Sequence, residues 1–215
     1  MKFKHTIKFL LIITISFVCM SLSESEIPWK KETEKDGITV YLRDYAGSQL
    51  KEFKAQTIVK APLKKVVNLL LDFNSYPKWV FCNQGTFLIE NKNNKEFIYY
   101  TIIKCPEPTK NRDLIALLKI AEQTETKCII KTSCLPKYVN EKPNIVRVKE
   151  FNGLWELTKI SETETMVITE CHTEPGGTVP AWLINYMITT GPFKTLSNMH
   201  DILAEKVVKS KKNKK

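Results

Sequence analysis

Histidine and glycine are scarce in this 215-residue chain, which holds three histidines and seven glycines beside ten prolines. So little Gly and Pro excludes collagen-like and Gly/Pro-rich disordered material. No GxSxG, HExxH, P-loop or GxGxxG stands in a strand–helix context, so the common hydrolase, zinc-protease and nucleotide signatures are missing. His172 follows Cys171 directly, and strand neighbours point to opposite faces, which rules out a nucleophile–base pair there. His200 and Asp201 adjoin on a helical segment and do not face each other. No CxxC or Cys/His spacing suggests a metal, and no period of about 20–50 residues recurs. The sequence therefore implies no catalytic residue, no metal site and no cofactor.

Long apolar runs are also missing. The longest, Phe9 to Met20, has 12 residues, short of the ~20 needed to span a bilayer. Lys2, Lys4 and Lys8 precede it and Ser21-Leu22-Ser23 follows as a small-x-small cleavage site. Residues 1–23 thus read as a secretory signal peptide, and the mature protein is expected to be exported. That places it in the periplasm of a double-membrane bacterium, or otherwise among secreted proteins.

Positive charge is plentiful, with a formal net of +10. Three of the excess lysines lie in the leader. Six more (Lys206, Lys209, Lys211, Lys212, Lys214 and Lys215) lie at the C-terminus, leaving the body near +1. A nucleic-acid groove needs positive charge organised on a folded surface, so no nucleic-acid partner is expected. Residues 209–215 read as a basic, disordered tail that could make transient contact with anionic lipid headgroups. Five cysteines follow the leader, an odd number that leaves at least one thiol unpaired in a monomer, the expected state.

The body has an ordinary globular composition, 43% hydrophobic and 26% charged, enough for one core over residues 24–208. Ile38, Val40 and Leu42 alternate after the Asp36-Gly37 turn, and a second strand over about 50–59 completes a hairpin. Pro62 opens a helix on which Leu63, Val66, Val67 and Leu70 recur at helical spacing. Strand patterns then follow at about 80–90, 96–105, 113–121, 126–134, 145–151, 154–160 and 165–173. Their short connections demand antiparallel neighbours. After Pro175-Gly176-Gly177 a long amphipathic helix runs from about Pro180 to Val208, with a kink expected at Gly191-Pro192. A sheet of eight or nine strands with one long helix to cover it is an α+β architecture.

These segments resemble the START lipid-transfer domain, of the helix-grip (Bet v 1-like) superfamily. The matching stretches are Asp36-Gly37-Ile38-Thr39-Val40-Tyr41, Lys51-Glu52-Phe53-Lys54-Ala55, Asn111-Arg112-Asp113 and Glu174 through Asn185. Within the last, Pro-Gly-Gly-x-x-Pro-Ala-Trp-Leu is the most specific. The order agrees from about Ile27 to Val208. The resemblance implies a curved antiparallel sheet gripping the terminal helix around a tunnel for one lipid or other hydrophobic molecule, without catalysis. It also places Arg112 facing that tunnel, where a buried guanidinium needs a partner, with Glu96 the candidate. A surface cap over a loop is the alternative reading for Arg112-Asp113. Tyr100, Trp182, Tyr186, Met187 and Phe193 complete the expected tunnel wall. Tyr100 and Thr101 face opposite sides, so only one can belong to it. Gly191-Pro192 and Pro106-Glu107-Pro108 are the expected hinges of a gate. Two competing readings stay open: a cyclase or hydrolase of the same superfamily using Arg112 and Glu96, and an adaptor whose cavity is filled by side chains.

Overall fold

Asp36 and Gly37 both take left-handed backbone conformations, with φ of 52° and 73°. Paired positive φ values turn a hairpin in the hand that matches strand twist. In the computed structural model, which describes residues 27–212, that hairpin joins strand β1 (Lys30–Lys35) to β2 (Ile38–Arg43). The signal-peptide assignment of residues 1–23 lies outside the described residues, as does the end of the expected basic tail. The side chains described end at Glu205.

Strand β1 is absent from the expectations because Lys-Lys-Glu-Thr-Glu-Lys has no apolar alternation and is almost wholly exposed. β3 (Glu52–Val59) follows β2 as the expected hairpin. Helix α1 (Leu63–Leu71) buries Leu63, Val66, Val67, Leu69 and Leu70, the face its spacing specified. A 3₁₀ turn (Phe73–Ser75) and the short helix α2 (Tyr76–Trp79) come next. They displace the start of β4 (Asn83–Asn91) from the expected residue 80. The remaining strands are β5 (Glu96–Ile103), β6 (Arg112–Gln123), β7 (Lys127–Cys134), β8 (Val146–Arg147), β9 (Glu150–Ser161) and β10 (Glu164–Glu174). The two strands expected at 145–151 and 154–160 are instead a two-residue bridge and one long strand.

All strands join in one sheet, ordered β1-β2-β3-β10-β9-β7-β6-β5-β4, with β8 beside β6. Every pairing is antiparallel except β6–β8. Chain neighbours are mostly sheet neighbours, as short connections require. Helix α3 (Ala181–Lys212) continues through Pro192. Its second half drives Leu196, Met199 and Leu203, each at most 2% exposed, into a core shared with Val40, Ala55, Ile130 and Leu157. All five described cysteines are free thiols.

Candidate functional site

The first half of α3 does not complete that core. Between it and the inner face of the sheet lies a cavity of about 330 Å³. Leu183, Met187 and Gly191 face it from α3, spaced four apart on one side of the helix. Tyr99 and Thr101 of β5, Leu114 and Leu118 of β6, and Gly153 and Trp155 of β9 line the opposite wall. The members of each pair are two or four residues apart, so the pleat sends both inward. Leu70, Tyr76 and Trp79 bound the cavity near α1 and α2. The cavity extends to the exposed Lys51 and to Pro175 and Val179, ahead of α3.

The wall is dry enough to act on titratable groups. Burial pushes the Cys171 thiol up to about 12, with Glu52 adding to the shift. Burial also raises the Tyr76 and Tyr99 hydroxyls well above the ordinary tyrosine range. Groups held neutral in this way add to the apolar character of the wall.

Polar groups gather at one end. Asn83, Ile103 and Arg112 stand opposite one another on β4, β5 and β6, and all three line the cavity. Arg112 is 3% exposed. Its guanidinium donates to the carbonyl oxygens of Lys110, Gly176 (3.0 Å) and Pro175 (3.4 Å). It therefore ties the Pro-Gly-Gly turn to β6, and the surface-cap reading is set aside. Gly176 and Gly177 have φ of 67° and 61°, a conformation that disfavours other residues in this turn.

Of the expected wall, Arg112 and Met187 line the cavity, and the other five do not. Glu96 pairs with Lys119, directly opposite on β6, at 2.9 Å, and makes no contact with Arg112. Tyr100 lies on the outer face in a small cluster with Ile98 and Ile115, and Thr101 takes the inward position. Burial and nearby Asp113 raise the Tyr100 hydroxyl to about 12. Trp182 and Tyr186 occupy the outer side of α3, 59% and 46% exposed, and Tyr186 meets the ring of Phe81 edge-on. Phe193 packs against the core beyond the cavity. The helical period explains Trp182 and Tyr186: residues 183, 187 and 191 share the inner side, whereas 182 and 186 fall a full residue step away from it.

Asn83, Thr132 and Thr169 also line the cavity and were not expected to. Thr132 and Thr169 sit in strands at positions whose alternation was readable. Asn83 follows a left-handed Cys82 (φ 55°) that no strand pattern would reveal.

The START domain model matches residues 18–208. The chain belongs to the START domain family. A STAR-related lipid transfer protein from Xanthomonas axonopodis superposes with a TM-score of 0.75 at 27% identity, covering 82% of this chain and 98% of that one. The human phosphatidylcholine transfer protein is 23% identical over 176 residues, 80% of this chain and 81% of that protein. A Streptomyces aromatase/cyclase shares the fold alone, at 13% identity and a TM-score of 0.51 over 72% of this chain and 92% of that one. The open antiparallel sheet with its long terminal helix is thus the START fold, and it keeps a cavity in this member.

Proposed function

We propose that this START domain binds one lipid-like molecule in the cavity beneath α3, without catalysis, and passes it between membranes outside the cytoplasm. The carrying observation is the cavity itself: about 330 Å³, within the ~300–1,000 Å³ of small-molecule sites. Its wall is largely aromatic and aliphatic, with Asn83, Thr101 and Arg112 gathered toward one end. Such a chamber suits an amphiphile. Burying hydrocarbon contributes roughly 0.8 kcal/mol per CH₂, so a chain of about ten methylenes supplies ~8 kcal/mol before the costs of ordering it.

The names of the Xanthomonas and human relatives support lipid as the ligand class. The leader pattern of residues 1–23 supports export. Exposed Trp182 and Tyr186 lie on the helix that roofs the cavity, and aromatic side chains of this kind settle at membrane interfaces. The space beneath α3 speaks against the adaptor reading. The enzyme reading loses its Arg112–Glu96 pair, because Glu96 is engaged by Lys119.

Native mass spectrometry of the gently purified protein, followed by uptake from labelled liposomes, is the test. A lipid adduct and saturable uptake are expected. A protein with neither would overturn the proposal.

A further inference from the structure

Cys171 and Thr173 of β10 line the cavity, so His172 between them points out of the opposite face of the sheet. It is wholly buried there, and neither ring nitrogen has a hydrogen-bond partner. A neutral imidazole in that state leaves one N–H and one lone pair unmet, which is costly. Half-buried Tyr45 covers the ring, with centroids 3.6 Å apart and planes 3° from parallel.

Tyr45 belongs to residues 44–51, the loop that joins β2 to β3. Leu50 and Lys51 of this loop line the cavity, as do Pro175 and Val179 of the segment leading into α3. Ser48 Oγ donates to Glu174 Oε1, on the residue just before Pro175. The loop and the Pro-Gly-Gly turn are therefore two lips of one opening, bridged by Ser48 and Glu174. The loop is tied to the sheet by that bond and by the Tyr45–His172 stack. Asn152 adds a long 3.5 Å contact to the Tyr45 hydroxyl.

The strands around His172 present acid to it. Nε2 stands 3.5 Å from Glu174 Oε1 and 3.9 Å from Glu150 Oε1, on β9. Glu170 lies two residues back on the same face of β10. β3 brings Glu52, one place beyond its last pair with β10, Phe53–Cys171. The cations nearby are engaged. Arg43 pairs with Glu52 at 2.7 Å, and Lys51 with Asp44 of the loop at 3.9 Å. Lys54, opposite Glu170, sits over the rings of Trp29 and Tyr41 at 4.6 and 5.2 Å. Asn152, opposite His172 on β9, is neutral.

We propose that residues 44–51 form a lid over this opening, latched by Tyr45 on His172, and that a proton on His172 tightens the latch. The imidazolium gains an Nε2–H bond to Glu174, the residue that already holds Ser48, and sets a cation against the Tyr45 ring. Tyr45 covers the ring, so the proton enters as the lid lifts and secures it on return. The proposal rests on the lipid-binding reading and adds control of exchange: mild acid keeps the guest in, and neutral pH lets it go.

The test preloads the full chain with a pyrene-labelled long-chain alcohol, which has no titratable group, and follows its release into excess phosphatidylcholine vesicles. Release is expected to slow at least about fivefold from about pH 7.5 to about pH 5.5, the range in which imidazole side chains take up a proton. His172→Phe keeps a ring beneath Tyr45 and removes the proton site, so its release should be equal at both pH values. Level or faster release in acid by the unaltered protein would overturn the proposal while leaving lipid binding intact. So would an undiminished pH response in folded His172→Phe. Ser48→Ala should speed release at both pH values, and unchanged release would show that the loop does not close the opening. A protein that takes up no alcohol at either pH, and no lipid from liposomes, would instead remove the lipid-binding reading and the lid with it. The first comparison needs no substitution, so a variant that fails to fold does not protect the idea.

Discussion

Arg147 meets Asp113 through two parallel hydrogen bonds, Nε to Oδ1 at 2.8 Å and a terminal guanidinium nitrogen to Oδ2 at 3.0 Å, and neither side chain is exposed. The same guanidinium donates to the carbonyls of Pro136 (2.7 Å), Val139 (3.0 Å) and Asn140 (3.3 Å). One buried cation thus holds the segment after β7 against the start of β6, on the outer side of the sheet and away from the cavity. The hydrogen bonds from Asp113 raise the Arg147 pKa further, so the guanidinium keeps its charge.

Removing one partner leaves the other charge buried and unpaired. Asp113→Asn is therefore expected to lower unfolding free energy by about 3–5 kcal/mol in urea titration. Changing both residues to apolar ones should cost distinctly less than that single change. A single-mutant loss under about 1 kcal/mol would show that water reaches the pair.

His200 links stability to pH. Thr57 spends its proton on the Gly37 carbonyl (2.9 Å), so His200 Nε2–H donates to Thr57 Oγ1 at 2.9 Å. Burial lowers the imidazole pKa, opposed in part by Asp201. The unfolded chain then binds the proton more readily than the folded one. The contribution is complete above the ordinary histidine pKa of about 6.5 and declines as pH falls through it toward the lower folded value. Thermal melts between pH 7.5 and 5 should fall less steeply for His200→Gln than for the unaltered chain.

Met187 stands half-buried on the roof of the cavity. Met187→Trp would fill part of the space, and lipid uptake should drop at least tenfold. Because the added ring enters an existing void rather than a packed core, Tm should stay level or rise. Unchanged uptake would place the lipid elsewhere.

Trp182 and Tyr186 make little use of the core. Replacing both with Ala should change stability by about 0.5 kcal/mol or less per residue. Transfer between vesicles is expected to slow while equilibrium binding holds. Equal loss of both would assign the two aromatics to the bound ligand instead of the membrane.

Shortening Leu196 tests how firmly α3 is held. It is wholly buried, and Leu196→Ala should cost about 2–5 kcal/mol as the core fails to close around the gap. A chemical-denaturation midpoint that did not move would mean that α3 lifts away before the sheet unfolds.

The order of elements was readable because each carries its own period. Ile38-Val40-Leu42 alternates, Leu63 to Leu70 repeats at helical spacing, and Pro175-Gly176-Gly177 breaks the last strand before α3. β5 was not readable in the same way. Phe97 to Ile103 is apolar on nearly every residue, so alternation could not say that Tyr99 and Thr101 point inward and Tyr100 outward. Arg147 left a faint trace, a lone charge within Ile145-Val146-Arg147-Val148, but its partner lies 34 residues away. Glu96 was equally ambiguous, since the lysine that claims it belongs to the next strand.

Local sequence determined which segments are strands or helices, where they turn, and hence an antiparallel sheet capped by a long helix. Period, turn chemistry and chain connectivity act over a few residues and need no distant partner. The tertiary structure decided which face of β5 is inside, that space remains beneath the first half of α3, and that Arg112 is tied to the Pro-Gly-Gly turn at one end of it. Those outcomes depend on strand register and on how opposite walls fill the gap between them, and neither is set by any one stretch of chain.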